Sequence, residues 1–565
     1  MPENQQTESK LRSIQRLWRL IVSERPDITS IYLFAIAAGL ISLSLPLGIQ
    51  AIFNYVTTGQ VSTSWVVLVV VVVLGVVANG LLQIFQTYLT EKIQQRIFTK
   101  SAIEFAYRIP RLRMDSLRKE VAPELVNRFF DTLTVQKGFS KMLMDISASS
   151  LQIIFGILLL SFYHPFFIVF GIFLAVLLTV VLWITGPKGL RTSMEESKYK
   201  YKVAYWLEEM ARTLESFKLA GATRLPLTKI DHLVSKYLSA RREHFKVLIS
   251  NYALILGYKV VIICAMLVIG SFLVFDNQLN VGQFVAIEIV LILLMSAVEK
   301  LIRTFETVFD VLTALEKIAS LTDLPLESDK GATVSTHSSH GLSLKIESLT
   351  LRFPDMGVPL VNHVNLNVKA GEWVNLITSD ESFVKHFFRL LMGFYGGYQG
   401  SISFNGIPLQ NIHLEDLRNM TGGYSTLQEL FDGSLIENIH MGIEGVTLDR
   451  VLEIISAVGL DAFVRGEKDG LEMRLQLGGG NLPETIYRKI ILARSLATHP
   501  SLLLLNDPFE GLSEDDVQGF LSYVQKWMPG ATVILATKSR ESRSFISQTY
   551  SVKEQHLLSY SPENN

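Results

Sequence analysis

A segment in the second half of the chain has the position of a phosphate-binding loop but few of the residues that such a loop needs. These loops use glycines so that successive backbone N–H groups converge on the phosphates, a lysine for charge and a serine or threonine for magnesium. The predicted strand Gly371–Ile377 is followed by a segment with Ser382 and Lys385 but no glycine. Asp380 and Glu381 stand there instead, and a charge about 4 Å from a like charge is repelled by roughly 4 kcal/mol at an effective dielectric constant of about 20. The sequence therefore predicts weak or absent nucleotide binding.

A carboxylate at the end of a buried strand is the second candidate for chemistry. The sequence after Gly478 predicts an amphipathic helix that ends near Leu496, then a turn, then the apolar strand Leu502–Leu505. Asn506 and Asp507 follow this strand directly. A carboxylate there can serve as a general base only if a nucleotide is held beside it.

Composition separates a membrane half from a soluble half. The 565 residues are 49% hydrophobic with a formal net charge of −1 and a mean hydropathy of +0.31. More than one domain is expected, and the charge gives no indication of nucleic acid as a partner. The single cysteine, Cys264, excludes intramolecular disulfides and cysteine-based zinc sites. No metal site is predicted.

Six apolar runs are long enough to cross a bilayer, which needs about 20 residues per helix. Lysine and arginine are absent from the loops after the first, third and fifth runs and frequent in the other connections. By the positive-inside rule, six helices cross the membrane and both chain ends are cytoplasmic. The runs are Ile31–Val56, Ser64–Tyr88, Ile146–Tyr163, Pro165–Trp183, Ser250–Phe275 and Gly282–Ile302.

The remaining segments complete a four-part organisation. The N-terminal residues form a basic amphipathic pattern, and two cytoplasmic connections of about sixty residues keep helical periodicity. Short strands broken by glycine, followed by helices, predict an α/β domain after a polar linker. The predicted domains are an N-terminal segment 1–28, a membrane domain 29–320, a linker 321–341 and an α/β domain 342–565.

In order and spacing, these features resemble a half-transporter of the ABC exporter family. Gly371–Ile377 stands where the family has the strand before its Walker A loop, and Gly478–Leu512 resembles the signature segment followed by Walker B. Leu40–Val56 and Asn280–Ala286 are most similar to exporters of peptides, bacteriocins or repeat-containing toxins. The resemblance covers residues 30–555. It implies a six-helix membrane domain with long cytoplasmic extensions, fused to an α/β ABC-type nucleotide-binding domain in a bacterial inner membrane.

Compared with the family's motifs, this chain is degenerate at most positions. No catalytic residue and no ATPase activity of its own are expected, because the Walker B pair reads Asn506-Asp507 and the switch histidine is Lys538. The chain is expected to bind no cofactor by itself, with ATP and magnesium present only through a partner. The positions equivalent to nucleotide-binding residues hold Phe353, Ser382, Val384, Lys385, His386 and Thr426. The signature is replaced by Leu482, Pro483, Glu484, Thr485 and Ile486.

Two cytoplasmic turns resemble those that dock the family's membrane helices on nucleotide-binding domains. The first turn lies at Arg113–Asp131 and the second at Glu208–Arg224. We expect coupling to involve Val121, Glu124, Arg128, Arg212, Glu215 and Phe217. Within the membrane, Lys259 and Glu288 require a partner or water, which makes them candidates for a substrate cavity.

Three functions remain open at this point. The first is one half of a dimeric exporter, homodimeric or heterodimeric, whose inactive domain couples to or regulates a partner half. The second is a scaffold that does not hydrolyse ATP in a secretion assembly, with a periplasmic adaptor and an outer-membrane channel as further candidate partners. The third is a proton-coupled transporter that uses Glu288. In each case the lipid bilayer is the surroundings, and no nucleic acid is expected.

Overall fold

The computed structural model describes residues 3–57, 63–117, 122–333, 341–354, 356–378, 380–425, 428–480, 482–537 and 544–559. Some side chains before residue 13, at 122–124 and between 174 and 185 are outside this description. The chain divides into two compact units. The membrane unit comprises Met1–Pro110 and Glu120–Leu324, and the α/β unit comprises Arg111–Lys119 and Pro325–Asn565.

Long helices form the membrane unit. Four of those described have more than forty residues, and at about 1.5 Å per residue each is roughly twice as long as the hydrocarbon core is thick. They therefore extend well beyond the membrane, as the helical periodicity of the connections predicts. The helices up to residue 322 are α1 (Glu3–Ser23), α2 (Arg25–Ser42), α3 (Ser44–Thr57), α4 (Thr63–Arg108), α5 (Met114–Leu117), α6 (Ala122–Asn127), α7 (Asp131–Tyr163), α8 (Phe166–Arg212), α9 (Leu214–Leu219), α10 (Leu225–Ala265), α11 (Ser271–Phe275) and α12 (Val281–Thr322).

Length and composition identify five candidate membrane spans within the described residues. They lie in α2 with α3, in α4, in α7, in α10 with α11, and in α12. The predicted fourth span, Pro165–Trp183, lies at the start of α8, where several side chains are outside the described residues. Only His164 and Pro165 separate α7 from α8, so the predicted hairpin is present.

Helices α7 and α12 form the centre of the membrane unit. A Cβ atom at Gly138 of α7 would lie 2.5 Å from Val311, and one at Gly156 would lie 2.8 Å from Leu294. Both glycines thus permit close approach of the two helices, as small residues do in membrane bundles. The N-terminal helix α1 is anchored at the end of α12, because Arg16 pairs with Glu316 at 2.6 Å and with Asp323 at 2.5 Å.

The α/β unit consists of α5 and the elements after residue 343. Its strands are β1 (Leu344–Leu351), β2 (Val361–Val368), β3 (Trp373–Ile377), β4 (Gln399–Phe404), β5 (Ile407–Pro408), β6 (Thr421–Tyr424), β7 (Gly433–Ser434), β8 (Arg474–Leu475), β9 (Leu502–Asn506), β10 (Thr532–Ala536), β11 (Gln548–Lys553) and β12 (His556–Ser559). Its remaining helices are α13 (Glu381–Leu391), α14 (Leu414–Asn419), α15 (Leu435–His440), α16 (Leu448–Ala457), α17 (Asp461–Gly466), α18 (Glu484–Leu496) and α19 (Glu514–Trp527).

A six-stranded sheet holds the candidate site residues. Its strand order is β12-β11-β3-β10-β9-β6, and only the edge pair of β11 and β12 is antiparallel. A second, antiparallel sheet has the order β2-β1-β4-β5. The side chains from Leu502 to Leu505 in β9 are completely buried, which explains the unbroken apolar run of a strand covered on both faces. The predicted α/β fold is confirmed.

Candidate functional site

The carboxyl ends of four parallel strands meet at one edge of the large sheet. Ligands of open α/β sheets bind in the crevice outside such strand ends. The residues that directly follow β3, β6, β9 and β10 are Thr378, Ser425, Asp507 and Thr537. We call these four residues the strand-end edge. The segment after β3 and the pair Asn506-Asp507 thus begin at the same edge of the sheet.

The edge is held by hydrogen bonds within the chain. The Asp507 N–H donates to the Ala536 carbonyl at 2.8 Å, and the Thr537 hydroxyl donates to the Asp507 carboxylate at 3.2 Å. Asp507 also has a left-handed φ of 49°. The buried Asn375 of β3 bonds the backbone of Thr537 twice, at 3.1 and 3.2 Å. Sequence reasoning overlooked Asn375, because a polar residue inside an apolar strand gave no indication of its partner.

The helix after β3 is capped by the chain's own carboxylate. Asp380 is the N-cap of α13, and its Oδ1 accepts from the Phe383 N–H at 3.1 Å. The Asp380 N–H in turn donates to the Thr378 hydroxyl at 2.9 Å. A helix N-terminus binds a phosphate through its free N–H groups and its positive dipole. Here a fixed negative charge occupies that position and satisfies one of those N–H groups.

The position of the phosphate-binding lysine belongs to the hydrophobic core. Val384 is 1% exposed and packs in the same core cluster as Phe383 and Phe387. The neighbouring Lys385 is half-buried, and Ser382 is exposed in the first turn of α13. A lysine at position 384 would place its charge in an apolar interior, which is costly without a partner.

The predicted adenine-stacking residue is part of an aromatic cluster. Phe353 is 8% exposed, and its ring centroid lies 5.8 Å from that of His386 and 5.4 Å from that of Tyr395. The rings meet edge to face in both pairs. His386 Nδ1 is also 3.2 Å from the Tyr395 hydroxyl. These contacts place the Phe353 side chain in the hydrophobic core.

The signature-equivalent residues begin α18. Pro483 is the N-cap residue and makes no side-chain capping bond. Glu484 is exposed and pairs with Arg488 at 2.7 Å, and Arg488 also reaches Glu510 at 2.6 Å. Thr485 is exposed, whereas Leu482 and Ile486 are half-buried.

A cavity of about 320 Å³ lies beside this helix start, and Tyr424 lines it. Burial raises the pKa of the Tyr424 phenol to about 12. Two other predicted residues, Thr426 and Lys538, lie outside the described residues. Gln428 does not replace the missing glutamine, because its amide donates inward to the Gly423 carbonyl at 3.1 Å.

Together these residues do not fit the magnesium ion and phosphates of a nucleotide. The site would need free N–H groups and a lysine. In this chain the Asp380 carboxylate already accepts from the Phe383 N–H, and the lysine position holds the buried Val384. Asn506 has no charge for a metal, and the Asp507 carboxylate already accepts the Thr537 hydroxyl. Within the described ranges, no group of three His, Cys, Asp or Glu side chains could hold a metal ion.

The first cytoplasmic turn is the second candidate site, and it belongs to the α/β unit. The Leu112 backbone pairs with that of Leu326, next to bonds from the Arg113 N–H to the Pro325 carbonyl at 3.2 Å and from the Glu327 N–H to the Arg111 carbonyl at 2.8 Å. Leu112 is 5% exposed. A strand-like contact thus joins the turn to the first part of the linker.

Side chains extend this contact to the loop before β4 and to α14. The two terminal guanidinium nitrogens of Arg418, Nη1 and Nη2, donate to the Glu327 carboxylate at 2.5 and 2.8 Å. The Asp115 carboxylate accepts from the Gly396 N–H at 3.0 Å, and Arg111 pairs with Glu415 at 3.0 Å. We call the whole set, from Arg111 to Asp115 with these partners, the first-turn contact.

The predicted coupling residues lie elsewhere. Val121 and the side chain of Glu124 are outside the described residues, and Arg128 bonds Ser320 inside the membrane unit. The contacts described for the first turn are therefore N-terminal to the predicted ones. In the second turn, Arg212 lies 3.5 Å from Glu209, Glu215 is exposed on α9, and the Phe217 ring packs edge to face on Trp206 with centroids 6.0 Å apart.

Of the two predicted membrane residues, Lys259 is in an ion pair and Glu288 is exposed. Lys259 forms an ion pair with Glu299, which also pairs with Arg303, so its charge is neutralised between α10 and α12.

A cavity of about 370 Å³ in the membrane unit is lined by neither of the two predicted residues. Its polar lining includes Gln86, Gln152 and Lys300. Lys300 is 2.9 Å from Asp145.

Known proteins agree with this architecture. Residues 28–298 match the family model described as the ABC transporter transmembrane region. A solved structure, a bacterial Atm1-family ABC exporter with ATP bound, superposes with a TM-score of 0.81 over 94% of each chain at 16% identity. The chain has the fold and domain order of an ABC exporter half. It is an integral membrane protein, and the predicted fusion of a helical membrane domain to an α/β domain is confirmed.

Curated relatives extend along most of this chain. The ATP-dependent lipid A-core flippase of Cupriavidus metallidurans is 22% identical over 94% of this chain and 90% of its own length. The flippase of Ralstonia nicotianae is 22% identical over 92% and 88%. The flippase of Chromobacterium violaceum is 24% identical over 62% of this chain, which spans 60% of that relative. These relatives are named as lipid A-core flippases, whereas the predicted similarity is to peptide exporters.

Proposed function

We propose that this chain is one half of a dimeric exporter in a bacterial inner membrane, and that its α/β unit transmits or restrains motion without hydrolysing ATP. One observation carries the proposal. Asp380 caps α13 at the place where an ATPase binds phosphate, next to the buried Val384 at the lysine position. Turnover then depends on a catalytically complete partner half.

The orientation of the chain supports this location. The segments rich in lysine and arginine put both termini and the α/β unit in the cytoplasm. The first-turn contact and the exposed helix α9 are therefore on the cytoplasmic side, where a partner's nucleotide-binding domain would be.

The proposed substrate is amphipathic and lipid-like. Two relatives that match over 94% and 92% of this chain are named as lipid A-core flippases. The cavity lined by Gln86, Gln152 and Lys300 places hydrogen-bonding groups inside an otherwise apolar bundle. A headgroup with hydrogen-bonding oxygens suits this lining better than an apolar peptide side chain does.

Binding and hydrolysis measurements on the purified full-length chain test the proposal. We expect no saturable binding of a labelled ATP analogue up to about 1 mM, the upper end of the usual range of enzyme KM values. We also expect hydrolysis only when a partner half co-purifies from native membranes. Micromolar affinity or turnover by the homogeneous chain would contradict the proposal. A periplasmic adaptor and an outer-membrane channel among the co-purified proteins would favour protein secretion over lipid transport.

A further inference from the structure

We infer that a basic cavity between α8 and α10 binds the phosphate group of an anionic membrane lipid. The cavity has a volume of about 690 Å³ and lies entirely within the membrane unit. It is separate from the strand-end edge and from the polar cavity around Lys300. The inference concerns lipid binding alone, so it does not depend on the proposed loss of ATP hydrolysis.

The lining of the cavity carries an excess of positive charge. Four cationic side chains, Lys188, Arg191, Lys236 and Lys246, face two carboxylates, Glu195 and Glu243. Lys246 and Glu243 pair with each other at 2.6 Å. Within the described part of the chain, the other three cations make no ion pair. Like charges around one cavity repel each other, and an anion placed among them relieves this repulsion.

Hydroxyl groups add hydrogen-bonding capacity beside these charges. Ser239 and Tyr199 also line the cavity, whereas the Thr192 hydroxyl there already donates to the Lys188 carbonyl at 3.0 Å and lies 2.8 Å from Nδ1 of the buried His244. Phosphate oxygens accept bonds from guanidinium, ammonium and hydroxyl groups alike. A binding group with several acceptors and a net negative charge matches this lining.

The depth of the cavity indicates a lipid as the source of the phosphate. Lys188 and Arg191 come five and eight residues after Trp183, the end of the predicted fourth span, which is about 8 and 12 Å along the helix. Lys246 comes four residues before Ser250, about 6 Å from the start of the fifth span, whereas Lys236 comes fourteen residues before it, about 21 Å away at the far end of the cavity. The headgroup layer extends roughly 5 to 8 Å beyond the hydrocarbon core, so the side chains of Lys188, Arg191 and Lys246 can reach it, and Lys236 adds longer-range attraction for an anion.

The cytoplasmic side is also the side where such sites occur. Anionic lipids are concentrated in the cytoplasmic leaflet, and basic pockets between transmembrane helices on that side bind phosphorylated headgroups. Val247 supplies apolar lining toward the membrane end. We therefore assign the cavity to a phosphate-bearing headgroup whose acyl chains remain in the bilayer.

Lipid titration of the delipidated full-length protein tests the assignment. The probes are cardiolipin, phosphatidylcholine as the zwitterionic lipid, and inorganic pyrophosphate as the soluble phosphate, with bound lipid counted by native mass spectrometry. We expect cardiolipin to bind in a salt-sensitive manner, since exposed charges are screened within about 10 Å at 0.1 M salt. Equal binding of phosphatidylcholine, or pyrophosphate binding as tight as cardiolipin, would overturn the lipid assignment.

Two matched triple variants locate the site. Lys188→Gln with Arg191→Gln and Lys236→Gln removes the cations without an ion pair and should weaken cardiolipin binding at least about tenfold. Lys200→Gln with Lys229→Gln and Arg242→Gln changes the same charge on the same helices outside the cavity, and we expect binding within about twofold of the unmodified protein. Equal effects of the two sets would contradict the proposal.

A change that adds affinity keeps the proposal testable if the first variant fails to fold. Glu195→Gln removes a carboxylate from the lining and should tighten cardiolipin binding by about two- to threefold at low salt. Unchanged or weaker binding would count against the site. If the cavity variant instead converted dimers to monomers while lipid binding stayed constant, the cavity would be an interface between copies and the assignment would fail.

Discussion

Two regions of the α/β unit use their polar groups in different ways. Next to the strand-end edge, at the start of α13, the positions typical of phosphate binding hold Asp380 as a helix cap and Val384 in the core. At the first-turn contact, backbone bonds and the paired Arg418 and Glu327 hold the turn, the linker and α14 together. Polar groups are satisfied internally at the edge and are used to join separate segments at the contact.

This difference separates two requirements of an exporter. Phosphate binding needs N–H groups and a cation that have no partner within the protein. Such groups do not stabilise the fold in the absence of the ligand. Mechanical transmission needs satisfied contacts between segments that move together. On the proposed function, a chain that meets only the second requirement can still restrain a partner, because coupling is a free energy between sites and requires no local chemistry.

The largest effect is expected from breaking the first-turn contact. Arg418→Ala removes two bonds to Glu327, whose side chain is 13% exposed, and a stacking contact 4.7 Å from the Phe394 ring centroid. Leaving a largely buried carboxylate without its partner costs about 2 to 3 kcal/mol. We expect a lower Tm of the full-length protein, faster proteolysis of the linker and a loss of transport by the assembled complex.

Arg465→Ala is the matched control. Arg465 is 80% exposed and lies 3.8 Å from Asp461, so its removal should change stability by less than about 0.5 kcal/mol. Arg418→Lys should recover part of the loss, since it restores the charge but only a single-point contact. A normal Tm and normal transport with Arg418→Ala would mean that the contact is dispensable.

The ion pair between Asp516 and Lys489 tests whether contacts outside the candidate site stabilise the α/β unit. Burial opposes ionisation of Asp516, but its bonds from Lys489 at 2.7 Å and from Ser513 outweigh this and lower its pKa. A lowered folded-state pKa adds stability above the unfolded value of about 3.9, and this stability is lost as the pH falls below it. We expect Asp516→Asn to lower the Tm at pH 7, with a difference that shrinks from about pH 4 downward. A difference that did not depend on pH would refute the assignment.

Removal of the Asp380 cap is expected to have a smaller effect on stability. Asp380→Ala removes the acceptor of the Phe383 N–H and should destabilise the protein by about 1 kcal/mol. ATP binding should not appear, because the glycines and the lysine are still missing. Asp380→Asn keeps an acceptor and should restore most of the Tm. ATP affinity gained by Asp380→Ala would show that the cap alone blocks a competent site.

The strands and helices around the edge could be predicted because their signals are local. The run Leu502–Leu505 became β9 with one further residue, and the helix predicted through Ile490 and Leu496 became α18. An apolar pattern of fixed period specifies such elements without any knowledge of their neighbours. The Asp380 cap also had a local signal, an aspartate just before an amphipathic helix, but was interpreted only as repulsion.

The first-turn contact could not be predicted in this way. Arg111–Asp115, Pro325–Glu327 and Arg418 are separated by hundreds of residues or by about ninety, and no periodicity links them. The coupling segment was consequently predicted near Val121–Arg128, beyond the contacts that the structure describes. Lys259 was similarly predicted to face a cavity, because its partner Glu299 is forty residues away on another helix.

The smallest effect is expected at the residue that occupies the catalytic position. Asp507→Asn removes the charge of the candidate base but keeps an oxygen that can accept the Thr537 hydroxyl, and asparagine tolerates the left-handed φ of 49°. If the edge holds no nucleotide, transport by the assembled complex should stay within about twofold, since a general base without a substrate contributes nothing to rate. Loss of the corresponding carboxylate in an intact partner half should abolish transport in the same assay. A loss of about a hundredfold or more from Asp507→Asn, in protein with an unchanged Tm and normal assembly, would mean that Asp507 acts as a base. The two regions would then share the work of the exporter.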